Sequence, residues 1–180
     1  MTGVPDRNTF ESAYAGQPPW DIGRPNKALV DVADRIAGSV LDAGGGTGEN
    51  ALFFAERGVQ ATFLVRDALT LTDWSERFDN VIDCGLFHGL SDEDRRRYVE
   101  GVRAVLRPGG RLFLLCVSDE EPGTHGPRRV SKKELYDAFA GGWIIESIEL
   151  TGAEVRPDFK EFSFSEGGPK AWFAAIRRAA

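Results

Sequence analysis

A cluster of glycines follows a short apolar run in the first third of the chain. The run spans residues 39–43 and contains Asp42, and Gly44, Gly46 and Gly48 come directly after it, ahead of a segment with a helical pattern. Because glycine lacks a Cβ atom, a ligand can approach the backbone of such a strand-to-helix turn closely. The sequence therefore favours a nucleotide-type ligand here over a plain turn in which Asp42 only braces the glycines.

The residues around these glycines narrow the kind of ligand. A phosphate-binding P-loop needs Gly-Lys-Ser/Thr, whereas this chain has Gly48, Glu49 and Asn50. The dinucleotide fingerprint GxGxxG has its third glycine at offset five, and here the third glycine stands at offset four. Glu49 places a negative charge at the start of the following helix, where a pyrophosphate would bind. These features disfavour phosphate and suit a cofactor that carries positive charge.

Apolar runs that alternate with amphipathic segments must position this turn. Six runs predict strands, at residues 39–43, 61–65, 78–84, 111–117, 143–150 and 171–178. Helices are predicted at residues 26–37, 49–57 and 91–106, and a further helix begins at Ser131 and ends near Gly141. The alternation predicts an α/β fold, with a doubly wound, mostly parallel sheet of about six strands and an antiparallel edge strand from the final pair.

Length and composition limit the classes of protein to which the chain can belong. Its 180 residues, 42% hydrophobic and 28% charged, predict one globular domain at residues 26–180 behind an arm at residues 1–25 that is partly helical around residues 9–14. A net charge of -6 argues against binding to nucleic acid or to an anionic membrane. Two cysteines and two histidines supply neither a disulfide framework nor a metal cluster. Without an apolar signal segment or membrane span, the sequence predicts a cytoplasmic protein.

Six stretches, in order over most of the chain, match the motifs of a known family. They are residues 19–25, 41–50, 66–68, 78–88, 106–112 and 126–131. With these motifs the sequence resembles class I S-adenosylmethionine-dependent methyltransferases, in particular small bacterial members of the thiopurine-methyltransferase-like or UbiE-like kind. The resemblance implies a Rossmann-like fold and methyl transfer from S-adenosylmethionine to a small-molecule acceptor by in-line displacement. A hydrophobic or aromatic acceptor fits the aromatic residues of the arm, Phe10, Tyr14 and Trp20.

The resemblance also implies a role for each residue of the cofactor site. The methionine part of the cofactor would be wrapped by Asp42, Gly44, Gly45, Gly46, Thr47 and Gly48, although the family often has cysteine where this chain has Gly45. The adenine amino group would donate to Asp67. The reacting methyl group would lie beside Cys84, Gly85 and Leu86. The predicted set is completed by Asn50, Ala68 and Trp20, the last of which would close over cofactor or substrate, or else only pack the arm.

His88 is the candidate for a general base. It follows the strand predicted at residues 78–84, at the edge where ligands of open α/β sheets bind. A base is needed only when the acceptor keeps its proton at working pH, as a phenol or an alcohol does. The alternative is a histidine that caps the next helix or packs beneath the loop, and we favour this structural role.

One part of the family pattern is missing. The family places a strand and a helix between the first helix and the run at residues 61–65, and that strand normally ends in an acidic residue that holds both ribose hydroxyls. Here Gly58 runs directly into Val59. Either a block is missing from the recorded sequence, which we favour slightly, or the chain is a shortened variant. In a shortened variant, residues 61–65 would lie beside the first strand and Asp67 would stand near the spacing of a ribose-binding carboxylate.

The sequence therefore predicts an enzyme that methylates a small molecule and binds neither nucleic acid nor membrane. The alternative is a protein that binds S-adenosylmethionine or S-adenosylhomocysteine without turnover, because the ribose-binding segment is absent. A nicotinamide-dependent oxidoreductase comes third, since the glycine spacing and Glu49 argue against it.

Overall fold

The computed structural model describes residues 7–161 and 163–180, and these contain one five-stranded sheet with helices on both faces. In chain order the strands are β1 (Val40–Ala43), β2 (Phe78–Cys84), β3 (Leu106–Val117), β4 (Trp143–Gly152) and β5 (Lys170–Arg178). The α-helices are α1 (Arg7–Tyr14), α2 (Lys27–Val30), α3 (Glu49–Glu56), α4 (Asp92–Val105) and α5 (Lys132–Ala138). Short 3-10 helices lie at Ala33–Arg35, Ala68–Asp73 and Phe87–Gly89. The predicted α/β class is confirmed.

The strands lie in the order β1-β2-β3-β5-β4. β1, β2 and β3 run parallel, and the connections between them carry α3 and α4. β5 runs antiparallel to both of its neighbours, β3 and β4. The mostly parallel sheet with an antiparallel edge is therefore confirmed, and the reversed strand lies one place in from the edge that β4 forms.

The central strands bury side chains on both faces of the sheet. In β3, Leu112 and Leu114 enter the core that α4 and α5 cover, whereas Phe113 and Leu115 enter the core that α2 and α3 cover. Alternate residues of a strand point to opposite faces, so a strand covered on both sides has a continuous apolar sequence. This double burial explains why the run at residues 111–117 predicted a strand without any polar alternation.

The predicted helix starts are confirmed by their caps, but one helix is shorter than expected. Ser91 accepts a hydrogen bond from the Asp94 amide at 3.0 Å, and Ser131 forms a reciprocal capping box with Glu134. The helix predicted at residues 26–37 ends after one turn. Val30 and the next two residues, Asp31 and Val32, all have low helix propensity. A 3-10 helix then keeps the same apolar face buried.

The strand predicted at residues 61–65 is not present, and this prediction is wrong. Residues 59–67, which we call the short connection, contain neither helix nor strand, and Phe63, Leu64 and Val65 are exposed. A parallel edge strand needs cover on both faces. The segment that follows, Ala68–Asp73, packs against α4 instead of returning over such a strand. Among the described strands β1 is therefore the edge, and the sheet has five strands rather than six.

The arm ahead of the domain is ordered by contacts with a distant part of the chain. α1 covers the helix predicted at residues 9–14, while residues 1–6 and the side chain of Phe10 lie outside the described part. The Arg156 amide donates to the Pro19 carbonyl at 2.9 Å, and the Arg156 guanidinium donates to the Gln17 carbonyl at 3.1 Å. No helix in the described residues is long and apolar enough to span a membrane.

Phe139 is expected to contribute strongly to the stability of this fold. Its ring is 2% exposed and packs between Phe87, at 6.0 Å, and Trp143, at 5.4 Å between ring centroids. Phe139→Ala should lower the free energy of unfolding by about 3–5 kcal/mol because it leaves a cavity in the core. The measurement is urea denaturation of both proteins. Tyr136→Ala, at a residue of α5 that is 56% exposed, is the control and should cost much less. Equal losses in the two variants would contradict this packing role.

Candidate functional site

The carboxyl ends of β1 and β2 bring the two main groups of predicted site residues together. The strands pair in parallel with Ala43 opposite Asp83, so the turns that follow them lie side by side. A Cβ atom placed on Gly44 would stand 3.1 Å from the Cβ of Leu86. The glycine turn and the segment from Cys84 to Leu86 thus form one wall at this edge of the sheet.

The glycine turn (residues 44–48, the glycine loop) has a backbone that only glycine adopts easily. Gly44, Gly46 and Gly48 have φ values of 73°, 56° and 92°, in the left-handed region. Gly45 lies outside that region, but a Cβ atom there would stand 2.9 Å from an Asp42 carboxylate oxygen. A cysteine at this position would therefore have to displace Asp42.

The Asp42 carboxylate is the most unusual group of the site. Both of its oxygens are buried, and neither has a hydrogen-bond partner among the described residues. Burial, and to a smaller extent the neighbouring Asp83, raise the pKa of Asp42 to about 7. A buried carboxylate without a partner is costly and is stabilised by a cation or a hydrogen-bond donor. The glycine loop beside Asp42 leaves room for a ligand that supplies such a cation or donor.

Asp83 was not singled out from the sequence, yet it shapes the second turn. Its carboxylate accepts hydrogen bonds from the amides of Leu86, at 2.8 Å, and Phe87, at 3.2 Å. Burial raises the pKa of Asp83 to about 6, even though these hydrogen bonds act in the opposite direction. Asp83 lies inside the family-like stretch at residues 78–88, so the motif could have marked it as a site residue. Its burial, however, could not be predicted from the sequence.

Cys84 and Asn50 lie in the wall without offering a nucleophile. Burial first, and then Asp42 and Asp83, raise the pKa of the Cys84 thiol to about 12, so it stays protonated. The side chain of Asn50 accepts a hydrogen bond from the Asn26 amide at 3.0 Å. Asn50 thereby joins the start of α3 to the residue that caps α2.

His88 is held in a way that favours the structural role. The Val117 amide donates to its Nδ1 at 3.1 Å, so the ring hydrogen of the neutral imidazole is on Nε2. Burial first, and then Arg95 and Arg129, lower the pKa of His88 to about 4. A general base needs a free lone pair, and the only acceptor nitrogen of this ring is already engaged.

The arm covers the glycine loop with aromatic and polar contacts. A Cβ atom on Gly46 would stand 2.5 Å from the Tyr14 hydroxyl oxygen, and Trp20 donates from Nε1 to that hydroxyl at 3.0 Å. Thr47 donates to the Asp21 carboxylate at 3.1 Å. Trp20 therefore reaches the loop through Tyr14. The sequence analysis considered Tyr14 only as one of the aromatic residues of the arm, because no local pattern places it on the glycine loop.

Glu154 ties the arm to the connection between β4 and β5. Its carboxylate accepts from the Arg24 guanidinium at 2.6 Å and from the Lys27 amide at 2.7 Å. These contacts join segments that lie more than a hundred residues apart in the sequence, so no local pattern predicts them.

Asp67 and Ala68 stand at the far end of the short connection. The Asp67 carboxylate accepts from the Leu69 amide at 2.9 Å and caps the 3-10 helix that begins at Ala68. Four residues earlier, the ring of Phe63 lies on the last glycine of the loop, where a Cβ atom on Gly48 would stand 2.5 Å from it. Phe63 was not assigned to the site from the sequence, which placed it in a strand.

No group of three or more His, Cys, Asp or Glu side chains among the described residues could hold a metal ion. The site instead offers bare glycine backbone and one buried carboxylate without a partner. These features fit an organic cofactor that carries a positive charge, and S-adenosylmethionine has both an ammonium group and a sulfonium group.

Known proteins with similar sequences and structures support S-adenosylmethionine as the cofactor. The profile of the thiopurine S-methyltransferase family matches residues 49–174. The 2-heptyl-1-hydroxyquinolin-4(1H)-one methyltransferase of Mycobacteroides abscessus is 29% identical, over 95% of this chain and 89% of the relative. That alignment runs over 208 residues, which is more than the 180 of this chain, so the relative has residues with no counterpart here.

Two solved structures extend the comparison. One, from work on the conversion of a disulfide bond into a thioacetal group during echinomycin biosynthesis, is 32% identical with a TM-score of 0.78, over 97% of this chain and 93% of the other. The other, 1,6-didemethyltoxoflavin-N1-methyltransferase of Burkholderia thailandensis with bound S-adenosylhomocysteine, is 21% identical with a TM-score of 0.62, over 85% and 76% of the two chains. The second likeness concerns the fold alone.

Replacing Asp42 by asparagine is expected to stabilise the ligand-free protein above neutral pH. Because the pKa of Asp42 is raised from 3.8 to about 7, the stability that its protonated form provides is lost as pH rises through about 7. D42N cannot ionise there, so its free energy of unfolding at about pH 8 should exceed that of the wild type by up to about 4 kcal/mol, and the difference should vanish near pH 4. Urea denaturation across this pH range measures the difference.

The exposed carboxylate of Asp31 provides the control for this experiment. Asp31 lies at the surface and pairs with Lys27, so D31N should give no gain that grows with pH. His88 titrates in both the wild type and D42N, and the difference between those two proteins therefore reports Asp42 together with its repulsion from Asp83. A D42N protein that is less stable than the wild type at high pH would contradict the buried, unpartnered state of this carboxylate.

Proposed function

The chain belongs to the thiopurine S-methyltransferase family, and on that premise we propose that it binds S-adenosylmethionine over the glycine loop and methylates an aromatic acceptor through an acidic hydroxyl group. At the coarser level it is an S-adenosylmethionine-dependent methyltransferase that acts on a small molecule. The observation that carries the proposal is the buried Asp42 carboxylate, which lies beside a loop of bare glycine backbone and has no hydrogen-bond partner among the described residues. The two cysteines of the chain, Cys84 and Cys116, are free thiols, which suits a reducing compartment, and we therefore propose a cytoplasmic location.

Asp42 and the glycine loop would hold the methionine part of the cofactor. S-adenosylmethionine supplies a methyl group on a positively charged sulfur. The acceptor would bond to the methyl carbon in line with the carbon–sulfur bond, and S-adenosylhomocysteine would leave. An ammonium group beside Asp42 would ionise the carboxylate and pair with it, which removes the cost of leaving it buried alone. Gly44, Gly46 and Gly48 would allow the cofactor to approach the backbone, and Cys84 to Leu86 would form the wall beside the reacting carbon.

The protein's contribution to the reaction would be alignment and exclusion of water. Methyl transfer from a sulfonium needs an activated carbon, which the cofactor provides, and a nucleophile held in line with the breaking bond. Tyr14 lies over the glycine loop and accepts a hydrogen bond from Trp20, and these two side chains would close the site against solvent. Asp67 and Ala68 remain the proposed partners of the adenine ring, at the end of the short connection.

The state of His88 favours an acceptor that has already lost its proton. Its Nδ1 accepts the Val117 amide, and its lowered pKa of about 4 keeps the ring neutral. Cys84 is protonated and Asp42 faces the loop, so no described titratable group of this wall stands ready as a base toward the acceptor. A hydroxyl acidic enough to ionise near neutral pH needs none. The N-hydroxy quinolone in the name of the relative from M. abscessus belongs to this chemical class.

Titration of the purified chain with S-adenosylhomocysteine tests the cofactor site. We expect saturable binding in an isothermal titration, with no binding of NADH as the control ligand. Release of S-adenosylhomocysteine from S-adenosylmethionine is then measured with 2-heptyl-1-hydroxyquinolin-4(1H)-one, a simple phenol, a thiol and an amine. Turnover should be fastest with the acidic hydroxyl compound. Failure to bind S-adenosylhomocysteine would refute the placement of the cofactor, and turnover with the amine alone would refute the acceptor class.

His88→Asn is expected to leave catalysis nearly intact. The side-chain oxygen of asparagine lies where Nδ1 lies, so it can still accept from the Val117 amide, but it cannot act as a base. The maximal rate should stay within a few-fold of the wild type, with an unchanged pH profile, whereas loss of a general base costs about 100-fold or more.

Two further variants separate positioning from catalysis. His88→Ala leaves the Val117 amide without its acceptor and should lower the thermal midpoint more than His88→Asn does. His125→Asn changes the other histidine of the chain and should leave the rate unchanged. A 100-fold fall in rate for His88→Asn, with normal cofactor binding, would make His88 a catalytic base after all.

A further inference from the structure

The short connection brings an aromatic ring onto the glycine loop. Residues 59–67 run from α3 to the 3-10 helix at Ala68–Asp73 without regular structure. Along this path the Phe63 ring settles on Gly48, and Gly48 is buried although Gly44, Gly46 and Thr47 are exposed. The ring thus covers the last position of the glycine loop, just where α3 begins.

Phe63 lies on the loop but is not part of a core. Its side chain is 60% exposed, and none of the ring pairs in the described part of the chain includes it. The residues that follow it, Leu64 and Val65, are also exposed, and residues 63–65 belong to neither hydrophobic cluster, although Val59 at the start of the connection packs against one of them. An aromatic ring with one side on glycine backbone and most of its surface in solvent can stack with a second planar group.

The orientation of the cofactor follows from the charges along the loop. At the β1 end lies Asp42, whose carboxylate needs a cation, and the ammonium group belongs to the methionine end of S-adenosylmethionine. The nucleoside end of the same molecule must then extend toward the other end of the loop, where Gly48 and Phe63 lie. Asp67 stands only four residues beyond Phe63 in the same connection. An aromatic ring and a carboxylate that accepts hydrogen bonds together suit an aminopurine.

We propose that Phe63 is a cofactor-binding residue that stacks on the adenine ring of S-adenosylmethionine and so adds to cofactor affinity in a chain whose described strands do not include the ribose-binding strand of the family pattern. This inference rests on the proposed function, because it places the cofactor on the same loop. Stacking between an aromatic side chain and a base contributes enough to change affinity by about tenfold or more. The connection that lacks a strand and a helix would in this way still supply one wall of the nucleoside pocket.

The test compares S-adenosylhomocysteine binding by the wild type and by Phe63 variants of the full chain in isothermal titrations. F63A should weaken binding about tenfold or more, and F63W, which keeps a stacking ring, should stay close to the wild type. The neighbouring residue Val65 is 100% exposed, so V65A is the matched control and should bind like the wild type. Because Phe63 is largely exposed, F63A should also melt within a few degrees of the wild type.

A second ligand tests which end of the cofactor the ring contacts. 5′-Methylthioadenosine has the adenine and ribose groups but no amino-acid part, so F63A should weaken its binding by a similar factor. Equal affinity of F63A and wild type for S-adenosylhomocysteine would overturn the inference while leaving the proposed function intact. Tighter binding by F63A would also overturn it and make Phe63 a plug of an empty pocket. Failure of the wild type itself to bind would remove the proposed function, and this inference with it.

Discussion

The parallel pairing of β1 with β2 places two buried carboxylates, Asp42 and Asp83, on neighbouring strands at one edge of the sheet. The two are treated differently. Asp83 receives backbone amides and fixes the turn after β2, while both oxygens of Asp42 lack a partner among the described residues. The buried Asp83 carboxylate thus stabilises the wall after β2, whereas the buried Asp42 carboxylate attracts a positively charged ligand. The glycine loop adjoins this unsatisfied group, and the arm and the short connection contact the same loop at Gly46 and Gly48.

Local sequence patterns predicted much of this architecture. The continuous apolar runs of β2 and β3 reflect burial on both faces, and the Ser91 and Ser131 caps mark helix starts through bonds made within three residues. The glycine loop was equally visible, since its φ values require that residue type. Residues 61–65 have the composition of a strand, but a strand forms only where neighbours cover it, and such cover is set by the tertiary structure.

The contacts that complete the site come from far along the chain and could not be predicted from local patterns. Tyr14 reaches Gly46 from the arm, and Glu154 anchors that arm from the connection between β4 and β5. The environment of His88 depends on an amide of β3, which lies 29 positions away. The sequence predicted that His88 lies at the ligand-binding edge of the sheet, but whether its ring can accept a proton depends on the hydrogen bond to Nδ1.

The four-residue length of β1 bears on how this protein behaves when it is concentrated. On its outer side β1 has no neighbour among the described strands, and an unpaired strand edge is a template for association between chains. A strand of this length exposes few backbone hydrogen-bonding groups to a second chain, and very short edge strands are one way in which natural sheets resist aggregation. The open edge that β1 presents is therefore expected to add little to the tendency of this chain to aggregate.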